Sequence, residues 1–147
     1  MLDFETKIPT PPSKETKEML NLNVLVADDE EMIRRMISMV LRTMGCTIEE
    51  VANGKELVER LDKAKPGEFS LIITDNNMPV MNGIDALKNI RTDDRFKELP
   101  TVFISGKPDD KLKKNVSDLG GVFLEKPFSI DKLTEAIEKA TSLTVAK

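Results

Sequence analysis

The chain has 147 residues, of which 39% are hydrophobic and 33% are charged, and its formal net charge is −4. A chain of this length fits one domain and can bury about two thirds of its unfolded surface. Its longest apolar runs are far shorter than the roughly 20 residues that span a bilayer, which excludes a membrane protein. Its lysines are scattered among acids, a pattern that argues against a nucleic-acid-binding surface.

The histidine and cysteine content limits the chemistry. Cys46 is the only cysteine, which excludes an internal disulfide and a thiolate metal cluster, and the chain has no histidine to serve as a zinc ligand or general base. Any reaction must therefore use carboxylates, hydroxyls and lysines. The N-terminal stretch MLDFETKIPT has early acids and no basic start before an apolar run. It does not resemble a secretory signal, and we predict a cytoplasmic protein.

The N-terminal stretch also differs in composition from the rest of the chain. Pro9, Pro11 and Pro12 accompany a charged run, SKETKEML, which predicts a flexible tail or linker over 1–20 and a folded domain over 21–147. The prolines are typical of a linker from an upstream domain, whereas Met1 suits a complete small protein. The sequence leaves both alternatives open.

From residue 21 onward, short apolar runs rich in strand-forming residues alternate with segments of helical periodicity. In chain order these are strand 22–27, helix 31–44, strand 47–52, helix 54–64, strand 70–75, helix 84–91, strand 101–105, helix 109–119, strand 122–126 and helix 129–140. The third strand is apolar almost throughout, which is typical of a strand buried on both faces. The pattern therefore predicts an α/β fold, a doubly wound five-stranded parallel sheet with helices on both faces.

The first helix has one apolar face. Its members recur at helical spacing and are Ile33, Ile37, Val40, Leu41 and Met44. We also expect the methionines of the run MISMV, Met36 and Met39, to pack in the core and not to form a cofactor site.

Polar side chains stand where the predicted strands end. They are Asp28 and Asp29 after the first strand, Asp75 on the third, Ser105 on the fourth and Lys126 on the fifth. In open α/β sheets, ligands bind beyond the carboxyl ends of the strands, near the point where the strand order reverses. We therefore expect these side chains to converge on one edge of the sheet.

Three carboxylates brought together repel one another unless a cation lies among them. Mg²⁺ fits best, because it prefers oxygen ligands, and a softer metal would lack histidine and cysteine ligands here. With a hydroxyl and an ammonium group nearby, such a site can move a phosphoryl group onto a strand-end carboxylate. Asp75 is then the nucleophile, Asp29 and Asp75 hold the metal, and Asp28 helps through a water molecule. Lys126 supplies a second positive charge, and the Ser105 hydroxyl donates to a phosphoryl oxygen.

The segments VLVADDE, TDNNMPVMNG, VFISG and LEKPF, in this order and spacing, resemble the signature of the response-regulator receiver family over about residues 21–143. The resemblance implies a flavodoxin-like receiver fold and a phosphoacceptor in a two-component phosphorelay. It implies that Asp75 is the phosphoacceptor and that Asp28 and Asp29 form the acidic metal pocket. The backbone carbonyl of Asn77 would complete the Mg²⁺ shell.

The same resemblance implies the partners. The phosphoryl group would come from a histidine kinase or a histidine phosphotransfer protein. A downstream protein would read the surface formed by the fourth helix, the fifth strand and the fifth helix. From the scattered lysines and the short apolar runs we expect no direct binding to nucleic acid or membrane.

Switch positions also follow from the resemblance. Ser105 and Phe123 correspond to the hydroxyl and aromatic switch positions, although Phe123 could equally be an ordinary core residue. The bond from Lys126 to Pro127 corresponds to the family's cis peptide. Lys107 would flank the phosphoryl group and modulate its lifetime. The departures from the family pattern are Asn82, Gly106 and Ala27, where Asp, Ala and a larger aliphatic residue are frequent, and none touches the chemistry.

A metal-dependent phosphatase with an aspartyl intermediate is the alternative function. Such enzymes need a second acid two residues after the nucleophile, where this chain has Asn77, and no cap insertion is evident. Asp28 and Asp29 could also be helix caps, but capping does not call for Asp75 and Lys126 on neighbouring strand ends. We therefore predict a signalling switch that promotes only its own phosphorylation and dephosphorylation, and no enzyme acting on other substrates.

Overall fold

A computed structural model of the chain describes residues 19–145. Strands and helices alternate through this part, as β1 (Asn23–Ala27), α1 (Glu31–Arg42), β2 (Thr47–Val51), α2 (Gly54–Asp62), β3 (Leu71–Asp75), α3 (Gly83–Arg91), β4 (Thr101–Ser105), α4 (Asp110–Asp118), β5 (Val122–Glu125) and α5 (Ile130–Val145). A 3₁₀ turn at Asp94–Phe96 precedes β4. The predicted alternation is confirmed, and α5 runs five residues beyond its predicted end at 140.

The strands form one parallel sheet in the order β2-β1-β3-β4-β5. The chain moves from β1 outward to β2 and then crosses back to β3 on the other side of β1. The strand order therefore reverses between β1 and β3, and the crevice beyond their carboxyl ends is where ligands bind in such sheets. Asp28 and Asp75 stand at these two strand ends.

Both faces of the sheet are buried, which explains the apolar strand sequences. On β3, Leu71 and Ile73 belong to the core beneath α1 and α5, while Ile72 belongs to the core beneath α2 and α3. Phe103 on β4 packs on that second face with α3 and with Val116 of α4. Helices thus cover both faces, and the predicted doubly wound fold is confirmed.

Helix α1 shows one error in the sequence interpretation. Ile37, Leu41 and Met44 are buried as expected, but Met36 and Met39 are 43% and 65% exposed. The period of 3.6 residues per turn carries these two methionines away from the sheet, while the inner face is filled by branched aliphatic side chains. The prediction that they pack in the core is therefore wrong.

The beginning of the described part bears on the predicted tail. Residues 1–18 lie outside the described residues, so the tail predicted over 1–20 stays a prediction for all but its last two residues. Leu20 packs against the core beside α1, and its N–H donates to the carbonyl of Met44 at 2.8 Å. Between residues 19 and 145, none of the helices has the length and apolar character needed to cross a membrane.

Candidate functional site

The predicted strand-end residues meet at the carboxyl edge of the sheet. Asp28, Asp29 and Asp75 each place one carboxylate oxygen within 4.8 Å of the other two. Asp28 and Asp75 are buried, with 1% and 4% of their surface exposed, whereas Asp29 is exposed. Such a group of oxygens could hold a metal ion, and an exposed third acid leaves one side open to solvent.

Lys126 reaches this group from the end of β5. Its Nζ lies 3.3 Å from Oδ1 of Asp75 and 3.8 Å from Oδ2 of Asp28. The same Nζ lies 3.4 Å from Oε1 of Glu30. The peptide bond between Lys126 and Pro127 is cis, as predicted. One ammonium group is therefore shared among three carboxylates.

The buried acids are held in an unfavourable environment. Burial raises the pKa of Asp28 to about 6, against the opposing effect of the hydrogen bond from the Glu30 N–H. Burial also raises the pKa of Asp75, although the charge of Lys126 opposes it. For Lys126 the balance is reversed, because burial lowers its pKa but the charges of Asp28 and Asp75 outweigh burial and raise it. Lys126 thus stays charged while the acids lack full compensation.

The two oxygens of Asp28 differ in their contacts. Oδ1 accepts a hydrogen bond from the Glu30 N–H at 2.9 Å. Oδ2 is buried and has no hydrogen-bond partner within residues 19–145. A buried carboxylate oxygen without a donor is costly, and a hard cation with oxygen ligands would satisfy it.

Ser105 and Lys107 lie beside the acids on β4 and in the loop that follows. The Ser105 side chain is buried, and its Oγ accepts a hydrogen bond from the Lys107 N–H at 3.1 Å. The carbonyl of Ser105 accepts from the Lys126 N–H at 2.9 Å, which joins the ends of β4 and β5. The Lys107 side chain is exposed at the same edge. The structure thus brings Ser105 and Lys126 together as expected.

Two further predicted residues, Phe123 and Asn77, are placed on β5 and in the loop after β3. Phe123 on β5 is partly buried against the cluster of Phe103 and Val116, and the Nζ of Lys113 lies 5.9 Å from its ring centroid. It is neither an ordinary buried core residue nor a free one. Asn77 is exposed in the loop that joins β3 to α3, two residues beyond Asp75.

Sequence reasoning missed residues that shape the site. Glu30 contacts Lys126, and the Asn76 side chain accepts a hydrogen bond from the Ile84 N–H at 3.2 Å, which ties the loop after β3 to α3. Gly83 begins α3 so close to β3 that an added Cβ would meet the carbonyl oxygen of Asp75. Glu30 belongs to the segment VLVADDE, and Asn76 and Gly83 belong to TDNNMPVMNG. The motifs therefore located these residues, but the sequence does not reveal which atoms they contact.

The chain is similar to known proteins over most of its length. The response regulator receiver domain family matches residues 24–138. The chemotaxis protein CheY-3 of Vibrio cholerae is 34% identical over 121 residues, which cover 81% of this chain and 91% of that relative. CheY of Pseudomonas aeruginosa is 34% identical over 120 residues, which cover 80% of this chain and 94% of that relative. The solved structure of the chemotaxis response regulator CheY4 of Vibrio cholerae has a TM-score of 0.73 and 31% identity, covering 84% of this chain and 99% of that one.

The similarity to this solved structure agrees with the five-stranded parallel sheet. The match to the family extends over most of the described residues, from β1 into α5. The relatives are CheY-like proteins that the chain covers almost from end to end. The chain therefore belongs to the response regulator receiver domain family.

Proposed function

We propose that this receiver domain is the phosphoacceptor of a two-component phosphorelay, with Asp75 as the residue that takes the phosphoryl group. The observation that carries the proposal is the convergence of Asp75, two further acids and Lys126 at the carboxyl edge of the sheet. The donor is a histidine kinase or a histidine phosphotransfer protein. Receiver domains are signalling switches, and the modification of Asp75 is the input.

The metal of the proposed reaction is Mg²⁺. Its ligands would be the carboxylates of Asp28, Asp29 and Asp75 and the backbone carbonyl of Asn77. The donor set fits, because it consists of oxygens and includes the buried Oδ2 of Asp28, which has no hydrogen-bond partner among the described residues. When bound, the ion would neutralise charge on the phosphoryl oxygens.

The roles of the protein groups follow from their positions. An oxygen of Asp75 attacks phosphorus, a new O–P bond forms, and the P–N bond to the donor imidazole breaks with its electron pair leaving on nitrogen. Lys126, already 3.3 Å from Asp75, faces the negative charge that arrives. The low exposure of Asp75 limits the water that competes for the site.

The proposed output uses Ser105, Phe123 and the surface of α4, β5 and α5. The phosphoryl group of an aspartyl phosphate carries about two negative charges, and the Ser105 hydroxyl, whose Oγ accepts from the Lys107 N–H, moves to donate its own hydrogen to a phosphoryl oxygen. This movement shifts β4 and α4, the helix whose Val116 belongs to the cluster against which Phe123 of β5 packs. A downstream protein reads the shifted surface, without direct binding to nucleic acid or membrane. A cytoplasmic location stays a prediction.

The test is to incubate the protein with a small phosphodonor and Mg²⁺ and to measure its intact mass. We expect a single phosphoryl adduct that does not form when the metal is chelated beforehand and that is absent in Asp75→Asn. Continuous phosphate release from unrelated esters would favour the phosphatase instead. The lack of any adduct would contradict both functions.

A further inference from the structure

Arg34 joins the acidic turn after β1 to the neighbouring strand β2. Its Nη1 donates to the backbone carbonyl of Asp28 at 2.8 Å, and its Nε donates to Oε1 of Glu50 at 2.9 Å. The side chains of Arg34 and Glu50 are only 15% and 22% exposed. The guanidinium group therefore bridges two elements in a partly buried place, directly behind the carboxylates.

Glu50 is itself held for this contact. Burial raises its pKa, but hydrogen bonds with Ser38 and Arg34 outweigh burial, and the pKa is lowered overall. Ser38 is fully buried on α1, and the hydrogen of its hydroxyl is donated to the carbonyl of Arg34 at 2.9 Å. Both partners of the ion pair are thus restrained, so the pair can hold the backbone of Asp28 in place in addition to contributing charge.

Asp28 is fixed by three hydrogen bonds. Its N–H donates to the carbonyl of Val51 at 3.2 Å, its carbonyl accepts from Arg34, and its Oδ1 accepts from the Glu30 N–H. Of these three contacts, the one from Arg34 is the one whose donor is a side chain. With these contacts made, Oδ2 is left within reach of the other acids and without a donor among the described residues.

We propose that Arg34 is a positioning residue for the metal site, because its two-pronged contact with Asp28 and Glu50 holds the turn after β1 in the geometry that presents the carboxylates of Asp28 and Asp29 to a divalent cation. This inference rests on the proposed function. Arg34 touches neither metal nor phosphoryl group, and it acts through the backbone of Asp28.

The charge of Arg34 and its positioning role predict opposite effects on Mg²⁺ binding when Arg34 is replaced. A cation beside the acids repels Mg²⁺, so if charge were its only effect, removing Arg34 would tighten Mg²⁺ binding. If Arg34 positions the turn, its loss weakens binding. Arg34→Lys keeps the charge but has one ammonium group, which cannot donate to the Asp28 carbonyl and to Glu50 in the fixed fork of a guanidinium. This variant therefore isolates the positioning effect.

The experiment is calorimetric titration of the protein with Mg²⁺ alone. We expect Arg34→Lys to raise the Kd for Mg²⁺ about tenfold, as is usual when a residue that orients a metal ligand is changed. Arg35→Lys is the matched control, since the Arg35 side chain is 66% exposed and pairs with Glu31 on the outer side of α1. Its Kd should equal that of the wild type.

A second readout uses the adduct measured by intact mass. The Mg²⁺ concentration that gives half the maximal rate of phosphorylation should rise in Arg34→Lys, while the rate at saturating Mg²⁺ stays near that of the wild type. An unchanged or lower Kd in Arg34→Lys would overturn the inference. If circular dichroism shows that this variant does not fold, Glu50→Ala takes its place, because it removes the acceptor of the Arg34 Nε–H, and an unchanged Kd in that variant would overturn the inference equally.

The two proposals fail in different ways. If the wild type binds Mg²⁺ but forms no adduct, the proposed phosphoacceptor function is wrong, and the role of Arg34 is still decided by the Kd values. If the wild type does not bind Mg²⁺, the positioning role falls with the metal site. If the wild type binds Mg²⁺ and forms the adduct while Arg34→Lys keeps the wild-type Kd, only the inference about Arg34 is wrong.

Discussion

The Nζ of Lys126 lies 3.3 Å from Oδ1 of Asp75, and it is also within 3.8 Å of Oδ2 of Asp28. The Lys126 ammonium group therefore neutralises part of the same negative charge, on Asp28 and Asp75, that a bound divalent cation would neutralise. Burial alone would lower the pKa of Lys126, but these contacts with the two carboxylates raise it, and the side chain stays charged. They also mean that the lysine affects metal binding and phosphoryl transfer in opposite directions.

Replacing Lys126 by Met should separate these two effects. Without the ammonium group, the acids lose a competing cation, and we expect Mg²⁺ to bind several-fold more tightly. Phosphorylation by a small donor should nevertheless slow at least about tenfold, because the incoming charge loses a partner. Titration calorimetry and intact mass give the two values. Lys132→Met is the control, since that side chain is 68% exposed, and weaker Mg²⁺ binding in Lys126→Met would contradict the account.

The raised pKa of Asp28 predicts a pH dependence of stability without metal. The folded state, with a pKa of about 6, binds the proton more tightly than the unfolded state, with 3.8. The ionised carboxylate therefore destabilises the fold above the folded pKa, and the penalty is relieved as the pH falls through 6. Between pH 7 and pH 5, the wild type should gain about 1 kcal/mol in free energy of unfolding relative to Asp28→Asn.

Denaturant unfolding of both proteins in chelator at the two pH values measures this difference. The comparison with Asp28→Asn cancels the contribution of groups common to both proteins. A difference that stays constant, or that moves against the wild type at pH 5, would show that the folded pKa of Asp28 is not raised.

Gly83 should tolerate no larger side chain. A Cβ there would meet the Asp75 carbonyl oxygen and the ring of Phe103, so α3 or the end of β3 must move. We expect Gly83→Ala to lower the free energy of unfolding by about 1 to 3 kcal/mol, as overpacking does. Gly106→Ala is the matched control, because the nearest atom to its Cβ would be 3.7 Å away. Equal stabilities of the two variants in urea unfolding would refute the close approach.

Ser105 should be needed for the response and less for the modification. We expect Ser105→Ala to form the adduct on Asp75, while the change in amide hydrogen exchange over α4 and β5 on phosphorylation is lost. In the proposed function the hydroxyl of Ser105, which is buried at the end of β4, would link a phosphoryl oxygen to that strand. Ser117→Ala, an exposed position on α4, should respond like the wild type. A full exchange response in phosphorylated Ser105→Ala would rule out this role.

Lys107 should set the lifetime of the phosphorylated state. Its backbone N–H donates to Ser105, and its exposed side chain lies at the same edge of the sheet as the acids. We expect Lys107→Ala to lose the phosphoryl group several-fold faster, because water gains access. The decay of the adduct by intact mass measures this, with the exposed Lys111→Ala as the control. An unchanged rate in Lys107→Ala would remove Lys107 from the account.

The sheet and the converging acids could be predicted because their physics is local. Alternating apolar runs and helical segments define parallel strands, and the carboxyl ends of such strands share one edge. Asp28, Asp75 and Lys126 could therefore be placed together from the sequence, although they are up to 98 positions apart in the chain. Their protonation could not, since it depends on burial and on distances of a few ångströms.

The errors and omissions have the opposite cause. Met36 and Met39 were misplaced because their apolar character was given more weight than their helical position: a helix packed against a sheet buries one stripe, and both methionines lie outside it. The pair of Arg34 and Glu50 joins residues of different elements through side-chain geometry, and no local pattern marks it. Long charged side chains reach several partners, so their choice needs the structure.

The central claim is that Asp75 carries the phosphoryl group, and reductive trapping tests it most directly. The protein is phosphorylated by a small donor with Mg²⁺ and treated with borohydride, which reduces an acyl phosphate to the alcohol and so converts the aspartyl side chain to that of homoserine. Peptide mass mapping then locates the converted residue. The account predicts conversion at Asp75 alone, and conversion at Asp28 or Asp29, or none in protein that carries the adduct, would contradict it.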